Sequence, residues 1–87
     1  MSLPDDGDDL RAVFYCKDPN SQGVDMCDTF YRTDRASWIV QGKRRGERVA
    51  TQLVGLADDE TFVEVSEPTV AAFVRHYVKE HHGVDLG

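Results

Sequence analysis

The residues of this chain that could do chemistry are a basic stretch, two cysteines and three histidines. Six of the ten lysines and arginines lie in the stretch TFYRTDRASWIVQGKRRGER, residues 29–48. Clustered cations can neutralise phosphates or meet an acidic protein surface, and a neighbouring aromatic ring can stack on a base. The stretch is therefore the first candidate for a binding surface. Its candidate residues are Arg35, Trp38, Lys43, Arg44, Arg45 and Arg48.

The charge of the flanking chain decides which partner this stretch would suit. Residues 1–31 carry a net charge of −5, residues 32–48 carry +4, and residues 49–87 carry −5. Acidic flanks disfavour nucleic acid, because contact with phosphates needs cations that the surrounding field does not cancel. We therefore expect an acidic protein partner, with a nucleic-acid-binding role for residues 43–48 as the alternative. The simplest interpretation is a solvated turn whose cations protect a sheet edge.

The cysteines and histidines are poorly spaced for a metal site. Cys16 and Cys27 are eleven residues apart, whereas zinc sites use close cysteine pairs. His76 and His81 have a ligand-like spacing, but side chains five residues apart on a helix point about 140° apart. We expect no metal site and two buried thiols that behave as small apolar residues. A disulfide between paired strands and a thiol- or metal-responsive protein remain alternatives.

Catalysis has no clear set of residues in this sequence. Ser66 fits the first residue of a helix better than a nucleophile, and the acidic run at residues 58–60 fits a turn before a strand. GKRRGER lacks the glycine pattern and the Lys-Ser/Thr end of a phosphate-binding loop. Because nothing supplies a nucleophile, a base and an orienting group together, we predict a non-enzymatic protein without a cofactor.

The secondary-structure elements that position these residues, as the sequence patterns predict them, form a small α+β domain. Runs of aromatic and β-branched residues predict strands over residues 12–17, 29–33, 37–41 and 61–65. A short apolar spacing predicts a helix over residues 47–54. Alternation along the central hairpin gives it one richly apolar face, which a helix usually covers.

The C-terminal helix is the clearest element in the sequence. Ser66 is a good N-cap, Pro68 is tolerated in the first turn, and Gly83 stops the helix. Its apolar residues form one stripe, which we expect to face the sheet. The stripe consists of Val70, Phe73, Val74, Tyr77 and Val78. The predicted fold is α+β, a mostly antiparallel sheet of three to four strands packed on one face by this helix.

The domain organisation follows from length and composition. Residues 1–11 are acidic and poor in apolar side chains, which predicts a disordered tail, and residues 12–87 form a single domain. No apolar run is long enough for a membrane span and no secretory signal opens the chain, so we expect a cytoplasmic protein. A free sheet edge would allow a homodimer by strand pairing.

Two segments within residues 27–65 carry a recognisable pattern, CDTFYRTDRASWIVQG and DDETFVEV, the second an acidic turn before a strand. In these segments the chain resembles a group of small uncharacterised actinobacterial proteins. The matching positions are Cys27, Tyr31, Thr33, Asp34, Arg35, Trp38, Val40, Gln41 and Gly42. Such proteins look like companions of helix-turn-helix regulators, so the resemblance implies a regulatory role with a transcriptional regulator as partner, and no catalytic residue. GKRRGER is more basic than expected of the group.

Overall fold

The structure, a computed structural model, describes residues 9–21 and 27–83. It confirms the α+β fold class, with a three-stranded antiparallel sheet, a separate two-stranded sheet and a C-terminal helix. In chain order the elements are β1 (Ala12–Lys17), β2 (Thr29–Thr33), β3 (Trp38–Gln41), β4 (Lys43–Arg44), α1 (Glu47–Ala50), β5 (Val63–Glu64) and α2 (Glu67–His82).

The larger sheet has the strand order β1-β2-β3, with both pairs antiparallel. The predicted bounds of β1 and β2 are confirmed, and β3 begins one residue later than predicted. Phe30 lies opposite Val40 and Arg32 lies opposite Trp38, so these side chains share one face of the sheet. The register of β1 shifts between Phe14 and Cys16, a β-bulge that interrupts its regular alternation.

The turn between β2 and β3 is held by its own hydroxyl groups and by the segment before β1. The hydroxyls of Thr33 and Ser37 are 2.6 Å apart. Asp9 forms an ion pair with Arg35, and the backbone N–H of Arg11 donates to an Asp34 carboxylate oxygen at 3.2 Å. Residues 1–8 of the predicted acidic tail lie outside the described residues, whereas residues 9–11 contact this turn.

The smaller sheet and α1 are shorter than the sequence predicts. β5 covers two residues of the predicted strand at 61–65, and α1 covers four residues of the predicted helix at 47–54. Gly46 stands at the N-cap of α1 and has no side chain to accept a bond from the first turn. All residues from 51 to 60 are exposed, so tertiary packing, which supplies most helix stability, does not extend α1.

α2 begins and ends where the sequence predicts. The Ser66 hydroxyl accepts a hydrogen bond from the backbone N–H of Thr69, and Gly83 ends the helix with a positive φ of 70°. The carboxylate of Asp28 accepts from the backbone N–H of Ser66 at 2.6 Å, and the Ser66 hydroxyl donates to Asp18 at 3.0 Å. Two loop carboxylates thus satisfy groups at the positive end of the helix.

The rotation of α2 differs from the predicted one. The buried positions of the helix are Thr69 and Ala72, whereas Val70 and Val74 of the predicted stripe are exposed. The expectation that the whole stripe faces the sheet is therefore wrong. At one end of α2 the backbone N–H of Ser66 donates to the Asp28 carboxylate, and at the other end Tyr15 and Arg32 donate to the Glu80 carboxylate. These bonds hold the helix in the rotation that leaves Val70 and Val74 exposed.

An aromatic cluster joins α2 to the sheet. Phe73 stacks on Phe30 with the ring centres 4.4 Å apart, and it meets the edge of the Trp38 ring at 4.9 Å. Tyr15, at the bulge of β1, contacts both Trp38 and Phe73. Among the described residues, the buried apolar side chains are Cys16 and Ala72. Most of the interior is therefore built from half-buried rings.

Candidate protein-binding surface

The basic segment, residues 43–48, follows β3 after the single residue Gly42. This glycine lets the chain pass close to β5. A Cβ atom at Gly42 would lie 2.5 Å from the Glu64 carbonyl oxygen and 2.8 Å from a methyl group of Val65. A larger residue would therefore push β4 away from β5. In the small sheet Lys43 lies opposite Glu64, so this glycine sets the position at which the basic segment leaves the larger sheet.

The cations of the basic segment differ in whether they form an ion pair with a described residue. The Arg45 side chain donates to Glu64 through Nε at 2.7 Å and through a terminal nitrogen at 2.5 Å. Lys43, Arg44 and Arg48 are exposed and form no ion pair with another described residue. Exposed ion pairs are weak, so Glu64 only partly offsets the positive charge of Arg45. Three cations of the segment are therefore both exposed and without an ion pair among the described residues.

An exposed apolar loop, Leu53–Leu56, follows the basic segment. Val54 is 99 % exposed, and Leu53 and Leu56 are also exposed. The backbone N–H of Leu53 donates to Ala50, and the side chains of Thr51 and Gln52 both donate to the carbonyl of Arg48. These bonds attach the loop to α1, so apolar side chains stand close to the cations along the chain.

Arg35 and Trp38 do not belong to this surface. Arg35 lies in the turn that precedes β3 and the basic segment follows β3, so the length of the strand, about 14 Å, separates them. Arg35 is also engaged by Asp9. Trp38 is half-buried against Tyr15 and Phe73. The six predicted residues thus divide into four at one end of the sheet and two at the other.

A cleft of about 350 Å³ opens beside the basic segment, and its lining mixes charges of both signs. Lys43 and Arg45 face it together with Asp18 and Asp28, whose carboxylates are engaged by the start of α2. Cys27 also lines it, and its sulfur is 3.9 Å from the Thr29 hydroxyl. The described lining residues supply no histidine as a base for the thiol.

Both cysteines are free thiols. Cys16 is buried, and this burial raises the pKa of its thiol. Among residues 9–21 and 27–83, no group of three histidine, cysteine or acidic side chains is placed to hold a metal ion. At this end of the sheet the chain leads from exposed cations to exposed apolar side chains, the two kinds of group that protein-binding surfaces combine.

Sequence reasoning missed a charged network under the C-terminal half of α2. Arg32 bonds Glu80 at 2.5 Å and its guanidinium lies over the rings of Tyr15 and Trp38, at 4.9 and 5.0 Å. The Arg32 hydrogen bond lowers the pKa of Glu80 to about 2, with a second bond from Tyr15 acting the same way. Desolvation, followed by the bond to Glu80, raises the pKa of Tyr15 to about 12.

A signal for this network was present in the sequence. Alternation places Arg32 on the apolar face that the helix covers, where a cation needs an acidic partner. Between residues 68 and 82 the one acidic residue is Glu80. The bonds of Glu80 to Arg32 and Tyr15 attach α2 to the sheet. None of these three residues belongs to the basic segment.

No protein-family model, curated protein or solved structure matches this chain. Within the described residues, no helix combines the length and the apolar content that a membrane crossing requires.

Proposed function

We propose that the protein is a non-enzymatic docking protein that binds an acidic protein partner through the basic segment and the apolar loop. One observation carries this proposal: three exposed cations without an ion pair among the described residues are followed along the chain by an apolar loop whose Val54 is 99 % exposed. Apolar side chains surrounded by charge are typical of a binding surface.

The chemistry of the surface defines its partner. Covering the apolar loop removes its surface from water, which stabilises a complex by about 25 cal/mol per Å² of apolar area. The cations favour carboxylates at the rim of the contact, where charges chiefly govern the association rate and the choice of partner. We expect a partner with an apolar pocket bordered by acidic side chains.

The resemblance of residues 27–65 supports a finer proposal, in which the partner is a helix-turn-helix transcriptional regulator and the protein acts with it in the cytoplasm. The net charge of −6 supports a protein partner over nucleic acid, because the acidic flanks repel phosphates at long range.

Charge reversal at one end of the sheet tests the docking proposal. The variant Arg44→Glu/Arg48→Glu changes two cations that have no ion pair in the described chain, so we expect folding to be retained and capture of a specific protein partner to be lost. The matched control Arg11→Glu/Arg35→Glu makes the same change of charge at the opposite end. Captured proteins are compared by mass spectrometry, with circular dichroism as the check on folding.

Three results would contradict the proposal. Equal capture by both variants removes the basic segment from the contact, and loss in the control alone moves the contact to the Arg35 end. A mobility shift of DNA or RNA that weakens steeply with salt and is lost in Arg44→Glu/Arg48→Glu would support the nucleic-acid alternative instead.

A further inference from the structure

The outer edge of β3 carries backbone groups without a hydrogen-bond partner among the described residues. The backbone N–H of Thr33 donates to the carbonyl of Ser37 at 3.0 Å, which sets the alternation of the hairpin ladder. The N–H and C=O of Ile39 therefore point towards β2. The same groups of Trp38 and Val40 point away from β2, and no hydrogen bond between described residues occupies them.

This outer edge leads directly into the basic segment. Only Gly42 separates β3 from β4, which begins at Lys43. β5 and the start of α2 lie on the β2 side of β4, because Lys43 lines one cleft with Ser66 and with Asp28, the residue that precedes β2. No described strand pairs with the outer side of β3 or β4. The open edge therefore ends at two exposed cations, Lys43 and Arg44.

β3 is the more regular of the two free edges of the larger sheet. Its pairing with β2 has no shift in register, whereas β1 contains a bulge between Phe14 and Cys16. A bulge makes an edge less suitable for a further strand, since it interrupts the even row of backbone groups. Ile39 and Val40 are each 37 % exposed, so side chains of an added strand would have apolar neighbours on both faces of the sheet.

We propose that the partner contributes an extended acidic segment, which pairs with the outer edge of β3 and places its carboxylates beside Lys43 and Arg44. The proposal rests on docking through the basic segment and specifies the part of the partner that binds there. When a strand is added to a sheet, backbone hydrogen bonds give affinity and alternate side chains give specificity. Opposite charges on neighbouring strands attract each other when their side chains lie directly opposite.

A second copy of this chain is less complementary to the edge. Antiparallel pairing of two β3 strands would bring the β2–β3 turn of one copy towards the cations of the other. The described charged residues at that turn are Asp9, Arg11, Asp34 and Arg35. They comprise two acids and two bases, so the turn offers no net negative charge to the cations. An acidic segment of another protein does offer that charge.

A synthetic acidic peptide tests strand addition. The probe is the capped peptide Glu-Glu-Glu-Thr-Val-Thr-Val-Thr, and its control has lysines in place of the glutamates. Hydrogen exchange followed by NMR reports on single amides of the protein. In the free chain we expect slow exchange at Ile39, which bonds β2, and fast exchange at Trp38 and Val40. The probe should slow exchange at Trp38 and Val40 by about tenfold when nine-tenths of the chain is bound.

Proline substitution tests the same edge by affinity. Val40→Pro removes an N–H that faces away from β2, a position where an edge strand tolerates proline. We expect the dissociation constant of the probe to rise about threefold to tenfold, the value of one backbone hydrogen bond. The matched control is Ala12→Pro: Ala12 lies opposite Thr33, whose N–H is used towards β3, so the N–H of Ala12 also points outward, but from β1. It should leave the affinity within about twofold, and circular dichroism checks the folding of both variants.

The exchange pattern separates strand addition from docking. Slower exchange at Trp38 and Val40, with weaker binding in Val40→Pro, supports strand addition. Binding that needs Arg44 and Arg48 but leaves both amides in fast exchange overturns strand addition, while docking through the basic segment stands. Slower exchange at Ala12 places the peptide on β1 and overturns the proposal.

Three further results would also overturn the proposal. Equal affinity for the lysine peptide excludes an acidic occupant. A dimer mass for the free chain that Val40→Pro abolishes assigns the edge to a second copy. Absence of probe binding excludes strand addition at this edge, and the comparison of captured proteins then judges docking separately.

Discussion

Replacing Gly42 with alanine tests how the basic segment is placed. The added Cβ would meet the Glu64 carbonyl oxygen at 2.5 Å and methyl groups of Val65 and Val63 at 2.8 and 3.1 Å. The first contact is with backbone, so relief requires β4 to separate from β5. Such overpacking costs about 1–3 kcal/mol, comparable to the net value of the few hydrogen bonds in a two-residue ladder, at about 0.5–1.5 kcal/mol each.

Thermal unfolding followed by circular dichroism measures this effect. For a domain of this size, a destabilisation of about 1 kcal/mol lowers Tm by roughly 4–8 °C. Gly46→Ala is the matched control, because a Cβ there meets nothing within 4 Å, and its cost as a poorer N-cap is below about 1 kcal/mol. Equal Tm values for the two variants would refute the close approach of β4 to β5.

Three further predictions concern the attachment of α2 and the thiols. Glu80→Gln is less stable than the native chain at neutral pH, because Arg32 lowers the folded pKa of Glu80 to about 2 and so stabilises the charged carboxylate. The native chain loses this stabilisation as the pH falls from about 4.5 towards 2, whereas the variant has none to lose. The same change in urea midpoint with pH for both chains would contradict this prediction. Asp28→Ala lowers stability by about 1–3 kcal/mol, since its carboxylate satisfies the N-cap of α2, and an unchanged urea midpoint would remove that role. In a native thiol titration Cys27 reacts first and Cys16 only on unfolding, because Cys16 is 3 % exposed; simultaneous reaction would contradict its burial.

The elements that the sequence predicts best are those with strong local signals. Ser66 and Gly83 mark the ends of α2, and the aromatic and β-branched residues of β1 and β2 give their bounds. The predicted helix at 47–54 ends early because neither a cap nor a packing surface supports it beyond Ala50. Local sequence patterns therefore predict β1, β2 and α2. The length of α1, which has neither a cap nor packing to support it, depends on the tertiary structure around it.

The rotation of α2 depends on contacts that no local pattern contains. The apolar stripe predicts that one side of α2 faces the sheet, but the hydrogen bonds that Ser66 donates to Asp28 and that Arg32 donates to Glu80 connect residues 38 and 48 positions apart. These bonds turn Val70 and Val74 outward. A stripe identifies the apolar side of a helix, and long-range polar contacts decide how much of that side is covered.

The candidate surface was predicted in part. A hairpin turn and the residues after its second strand lie at opposite ends of that strand, so Arg35 could have been separated from residues 43–48 by topology alone. The exposure of the apolar loop was not predicted, since Leu53 and Val54 were expected on the helix at residues 47–54. The contribution of Val54 depends on the chain leaving α1 after one turn.

The most direct test of docking is the dissociation constant of the captured partner for three chains: the native protein, Arg44→Glu/Arg48→Glu and Arg11→Glu/Arg35→Glu. Reversal of two cations at the rim of a contact predicts a loss of about tenfold or more, equivalent to about 1.4 kcal/mol. The opposite-end control should remain within about twofold of the native value, as for charges outside a contact. Equal dissociation constants for the two variants would contradict docking through the basic segment.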